Sequence, residues 1–135
     1  MTDLSVIETQ ITAVLSSVED FKTVLDFEPM EIKNLPAGTI FYTGFSLTDA
    51  TVPNVQRVTH RWAIRVYVLL QDAKKAQDEI KALIPKVVAA FKANRSLTST
   101  CEFSTLTGCE VGVILDQNKA QIVADFTLEA QVRER

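Results

Sequence analysis

The sequence has 135 residues with 47% hydrophobic and 23% charged side chains, and its formal net charge is −3. This length suits one domain with a core that needs no covalent staple, and the acidic balance argues against general nucleic-acid binding. No apolar run approaches the roughly 20 residues of a membrane-spanning helix, and the N-terminus lacks the basic start of a signal peptide. We therefore expect one domain over residues 1–135 that contacts no membrane.

The first predicted element is an amphipathic helix from Leu4 to about Val18. Its apolar side chains recur at spacings of three and four residues and form one stripe, which consists of Leu4, Ile7, Ile11, Val14, Leu15 and Val18. Ser5 and Glu8 fit a capping box, with Asp3 as the alternative N-cap. Glu8 is expected on the polar side of this helix.

Two strands are predicted next. Thr23 to Phe27 favours a short edge strand, and Thr39 to Phe45, which is rich in aromatic and β-branched residues, favours a longer one. The LPAG run from Leu35 to Gly38 predicts a turn before the second strand. Gly44 indicates a bulge or a close backbone approach within that strand.

The segment from Ser46 to Gln56 is polar and carries Pro53, so we interpret it as a long hairpin loop. Loops of this length in compact domains often have a function. Thr48, Asp49 and Asn54 are therefore candidate contact residues. A connection without any function is the alternative interpretation.

The strongest strand signal runs from Arg57 to Leu70. Alternate positions predict one buried face, and they are Val58, His60, Trp62, Ile64, Val66, Val68 and Leu70. Arg57, Arg61 and Arg65 lie on the opposite face. At about 3.3 Å per residue such a strand spans roughly 46 Å, so it should bend around the sheet or project past it.

A second helix is predicted from Ala73 to about Ala93, with Asp72 as its N-cap. One face of this helix is apolar and consists of Ala76, Ile80, Leu83, Ile84, Val87, Val88 and Phe91. Pro85 should kink the helix or break it in two. Asn94 fits a C-terminal stop.

The closing part of the chain predicts three strands. Thr100 to Leu106 favours one strand, and Cys109 to Leu115 and Ala120 to Val132 favour a hairpin around a DQNK turn. The predicted register stacks apolar side chains on one another, through the pairs Leu115 with Ala120, Val113 with Ile122 and Val111 with Ala124. It also sets Glu110 against Asp125, which is unfavourable unless a cation lies beside them.

Together these elements predict an α+β fold. We expect a single domain with an antiparallel or mixed β-sheet, two helices packed on one face and long projecting strands.

No motif in the sequence predicts an active site. His60 lies on the apolar side of a strand, so we expect a structural or interface role for it. Cys101 and Cys109 lack metal-ligand spacing and are expected to be reduced thiols, and the four glycines form no phosphate-binding loop. We therefore expect no enzyme activity, no cofactor and no metal.

The charged residues of the two long strands allow two interpretations. Arg57, Arg61 and Arg65 face one way on the first, and Asp125 and Glu129 face one way on the last. They form either a solvated face with cross-strand ion pairs, each contributing under about 1 kcal/mol, or a charged surface that meets another subunit.

The whole chain resembles the tail-terminator (tail-completion) proteins of long-tailed bacteriophages, the family of lambda protein U. The likeness lies in size and in the order of elements. The first helix leads to LPAGTIFYTGF, followed by a long loop, the strand RVTHRWAIRVYVLL, a helix beginning DAKKAQDEI and a hairpin ending DFTLEAQVRER.

This resemblance implies a structural role in the virion, in the neck region of the tail, with assembly in the host cytoplasm. Family members cap the tail tube as a hexameric ring, stop its polymerisation and present the surface that joins the head. The implied partners are further copies of the chain, the tail tube protein and a head-completion or neck protein. DNA would pass through the ring without specific binding, which a modest acidic charge suits.

On this resemblance, the candidate subunit or tube contacts are Arg57, Arg61, Arg65, Asp125 and Glu129. Another neck or head–tail connector protein is the alternative within the virion. A small α+β enzyme or ligand-binding domain is the alternative from a different class, and it requires a concave pocket with convergent polar groups.

Overall fold

A computed structural model describes residues 3–27, 29, 34–49, 56–116 and 119–134. Its described elements are α1 (Leu4–Ser16), β1 (Thr23–Leu25), β2 (Ala37–Asp49), β3 (Gln56–Leu69), α2 (Ala73–Lys92), β4 (Phe103–Asp116) and β5 (Lys119–Glu134). The strands form one five-stranded sheet in the order β1-β2-β3-β5-β4. β1 pairs with β2 in parallel, and the other neighbours are antiparallel. The predicted α+β fold with a mixed sheet is confirmed.

Both helices pack on one face of the sheet, which we call the inner face; the opposite face is the outer face. The apolar stripe of α1 and that of α2 meet inner-face side chains in one core, which includes Ile11, Leu15, Ile80, Val87, Trp62, Ile64, Phe126 and Leu128. A Cβ placed on Gly38 of β2 would lie 2.7 Å from Cδ2 of Leu15, so the absence of a side chain lets α1 approach the sheet.

Each helix differs from its prediction in one respect. Asp3 is the N-cap of α1, because its Oδ1 accepts from the backbone N–H of Ser5 at 3.0 Å, so the capping box on Ser5 is wrong. α2 runs unbroken through Pro85, which excludes the predicted break. Pro85 and Lys81 are both exposed, so the carbonyl that lacks a helical donor can be hydrated.

β2 is longer than the sequence predicted. Ser46–Asp49 pairs with Gln56–Thr59, so the predicted loop over Ser46 to Gln56 is too long. Ser46 and Thr48 indicated a loop because they are polar, but they alternate with Phe45 and Leu47 as the residues of a strand do. A register shift at Gly44, whose φ is 129°, confirms the predicted bulge.

The three candidate loop residues therefore have different outcomes. Thr48 and Asp49 belong to β2, where their backbones lie opposite Arg57 and Gln56, so their assignment to a loop is wrong. Asn54 lies outside the described residues.

The hairpin of β4 and β5 has the predicted register. Leu115 lies opposite Ala120, Val113 opposite Ile122 and Val111 opposite Ala124. The two strands predicted over residues 100–115 are one strand, β4, which absorbs a register shift between Leu106 and Gly108. A bulge of this kind keeps apolar side chains on one face across an extra residue.

Candidate interaction surfaces

The outer face carries a ladder of ion pairs between β3 and β5. Arg61 lies directly opposite Glu129, and Arg65 lies directly opposite Asp125. The Nε of Arg61 is 3.2 Å from Oε1 of Glu129, and the Nε of Arg65 is 3.3 Å from Oδ2 of Asp125. These candidate interface charges are therefore paired within the chain. Since the side chains are about one-third exposed, each pair contributes under about 1 kcal/mol.

At the other end of this ladder, Glu102 lies between two arginines. Its carboxylate is 3.8 Å from Nε of Arg57 and 3.2 Å from Nε of Arg133. Glu102 was not singled out from the sequence, because it precedes β4 and its neighbours depend on β4 lying beside β5. Each of the three candidate interface arginines of β3 thus has an acidic partner in the chain.

Asp125 also faces Glu110 of β4, as the predicted register requires. The expected repulsion is offset by Arg65 on the other side of Asp125. Burial, with Asp125 and Glu110 nearby, raises the pKa of the Cys109 thiol. Cys101 and Cys109 are both free thiols, the first buried and the second exposed.

A buried polar cluster lies on the inner face beneath α1. His60 is fully buried, with Nδ1 2.8 Å from the hydroxyl of Tyr42. The indole N–H of Trp62 donates to Oε1 of Glu8 at 3.1 Å, so Glu8 turns toward the sheet instead of lying on the polar side of α1. Burial, then the charge of Glu8, raises the pKa of Tyr42. These contacts agree with the structural role expected for His60.

The two edges of the sheet expose large apolar side chains. β1 covers only Ala37–Thr39 of β2. Among the described residues, no strand pairs with the edge of β4 that points away from β5. The exposed apolar residues of these two strands are Phe41, Phe45 and Leu47 on β2, and Phe103, Val111, Val113, Ile114 and Leu115 on β4. Leu115 is 82% exposed and Val113 is 59% exposed. The sequence did not reveal the inner-face part of these patches, because its exposure depends on where the helices end. Phe41, Phe103 and Ile114 instead lie on the outer face, which no described helix covers.

Shallow clefts also lie among the described residues. One of 210 Å³ lies between α2 and β4 beside Phe91 and Ser104, and one of 440 Å³ lies near the start of α2 beside Lys22 and Asp72. Asp72 is already used as the N-cap of α2. Within the described ranges, no three His, Cys, Asp or Glu residues could hold a metal ion together. No described helix is both long and apolar enough to cross a membrane.

Comparison with known proteins gives little further information. No protein-family model matches the sequence, and no curated protein matches it. Among solved structures, a chain from the "Virion of native gene transfer agent (GTA) particle" is similar over 93% of this chain and 91% of that chain, with 11% identity and a TM-score of 0.40.

Proposed function

We propose that this chain is a virion structural protein that caps the end of a phage tail tube as a ring. In this role it stops tube polymerisation and provides the surface that joins the head. The observation that carries the proposal is the pair of exposed apolar sheet edges on β2 and β4. Exposed apolar surface of this kind on a small domain fits a protein whose normal state is an assembly.

The order of elements supports the same role, since it follows the resemblance to tail-terminator proteins along the whole chain. We propose a homo-oligomeric ring, a hexamer, whose partners are the tail tube protein and a head-completion or neck protein. The ring resides in the neck region of the virion after assembly in the host cytoplasm. Its function is geometric, with no enzyme activity and no cofactor.

In this proposal the charged residues of the outer face contact the tail tube. Arg57, Arg61 and Arg65 are partly exposed, so their ion pairs can be rearranged by a charged partner at small cost. The sum of charge on the chain is −3, and an acidic ring lets DNA pass without binding.

A binding experiment separates this role from that of another neck protein. The purified chain is mixed in parallel with cognate tail tubes and with cognate heads that carry the portal, and bound protein is measured after sedimentation. We expect cosedimentation with tubes at one ring per tube. Binding to portal-bearing heads alone would instead identify a head-side connector, and binding to neither would overturn the virion assignment.

A further inference from the structure

The edge strands β2 and β4 each contain a β-bulge, but they lack the charged residues and prolines that usually prevent an edge from pairing with another chain. Natural sheets protect their edges with lysine and other charged residues, or with proline. β2 has no charged residue and no proline from Ala37 to Thr48, and β4 has a single charged residue, Glu110, from Phe103 to Leu115. An unprotected edge with apolar side chains favours strand addition.

The directions of these two strands are complementary. β2, β3, β5 and β4 are neighbours in that order and each pair is antiparallel, so β2 and β4 run in opposite directions. When β4 of one copy lies beside β2 of the next with their inner faces aligned, the antiparallel ladder continues across the junction. We propose that copies of this chain join head to tail through β4 of one copy and the uncovered part of β2 of the next, as one continuous sheet.

A specific register satisfies the side chains at this junction. Opposed residues in antiparallel strands share a face. Placing Phe45 opposite Val111 and Leu47 opposite Cys109 joins exposed inner-face side chains. The same register places Glu110 opposite Ser46, on the outer face.

Charge favours this partner. The Nη2 of Arg61 donates to Oγ of Ser46 at 3.1 Å, so a guanidinium already reaches the β2 edge where the incoming Glu110 would lie. A symmetric pairing of two β4 strands about their centre would instead bring two Glu110 carboxylates together, which is unfavourable. Head-to-tail contacts close into a ring when the rotation between copies closes.

This inference rests on the proposed function, because it names the surfaces that would close the proposed ring. Chemical cross-linking of the full chain tests it. Phe45→Cys and Leu47→Cys each place a thiol on the face that carries Cys109, whereas Ser46→Cys places one on the opposite face. Each variant is treated with a short bismaleimide at concentrated protein and near-neutral pH, where maleimides react with thiols and not with lysine amines.

We expect a ladder of covalent multimers from Phe45→Cys or Leu47→Cys, and none from Ser46→Cys. Adding Cys109→Ser to the reactive variant should abolish the ladder. Covalent dimers from the unmodified chain, which would show Cys109 beside its own copy, overturn the inference. So does the absence of multimers from both inner-face variants. If the Phe45→Cys and Leu47→Cys proteins formed no multimers but still bound tail tubes, the tube-capping role would stand and only the proposed junction would be wrong.

Discussion

Arg61 and Glu129 lie directly opposite each other on β3 and β5, with Nε and Oε1 3.2 Å apart. Arg61 also donates through Nη2 to Ser46 on β2, so one guanidinium spans three strands. Arg61, a candidate interface residue, is thus paired across the outer face of its own sheet. Its position beside the uncovered edge of β2 keeps it available to a neighbouring copy.

Arg61→Glu is expected to retain the fold and lower the free energy of unfolding by about 1 kcal/mol, because it sets two carboxylates opposite each other. It should also weaken self-association, since the edge of β2 loses its cation. Urea denaturation and sedimentation velocity measure the two effects. The charge swap Arg61→Glu with Glu129→Arg should restore stability but not association. Unchanged association in Arg61→Glu would limit Arg61 to its role within the chain.

Glu8→Ala is expected to lower the free energy of unfolding by about 1–3 kcal/mol, because it leaves the buried indole N–H of Trp62 without its acceptor. Glu8→Gln keeps an acceptor oxygen and should cost less. Trp62 is the only tryptophan, so its fluorescence reports the transition directly. Gln10→Ala, at a similarly half-buried position of the same helix, is the control. Equal stability of Glu8→Ala and the control would show that this hydrogen bond contributes nothing.

Gly38→Ala is expected to destabilise the fold by about 1–3 kcal/mol, because the new methyl group would overlap the buried Leu15. Leu15→Val in the same chain should recover part of the loss by shortening the opposing side chain. Gly112→Ala is the matched control, since a Cβ there meets nothing within 4 Å. Thermal unfolding compares the variants. A Gly38→Ala protein as stable as Gly112→Ala would mean that α1 can move away from β2 at no cost.

Asp72→Ala is expected to cost about 1 kcal/mol, because the Asp72 side chain accepts from the backbone N–H groups of Lys74 and Lys75. Asp72→Asn should retain most of the stability, since asparagine also caps helices well. The difference between the two variants in urea denaturation measures the cap. An equal loss in both would assign the effect to the negative charge at the start of α2 instead.

The sequence predicted local features well and long-range neighbours poorly. Strict alternation in the final hairpin fixed the pairing of Val113 with Ile122, because a slip by one residue would expose every apolar side chain. Alternation also placed Arg61 and Glu129 on the outer sides of their strands. It could not show that β3 and β5 are adjacent, since they are separated by a helix and a strand. For this reason their pairing within one chain was not distinguishable from contact between subunits.

The missed contacts have a similar cause. Glu8 reaches Trp62 because of the way α1 is oriented on the sheet, and helix period alone does not set that orientation. The exposure of Val113 and Leu115 depends on the hairpin extending beyond the cover of α2. Both are properties of packing between elements, which local sequence patterns do not contain.

The length of tail tubes is the most direct measurement of the central claim. Tube protein is polymerised with increasing amounts of this chain, and tube lengths and ends are recorded by negative-stain electron microscopy. We expect the mean length to fall as the chain is added and the shortened tubes to carry a ring at one end. Tubes of unchanged length with bare ends would contradict it.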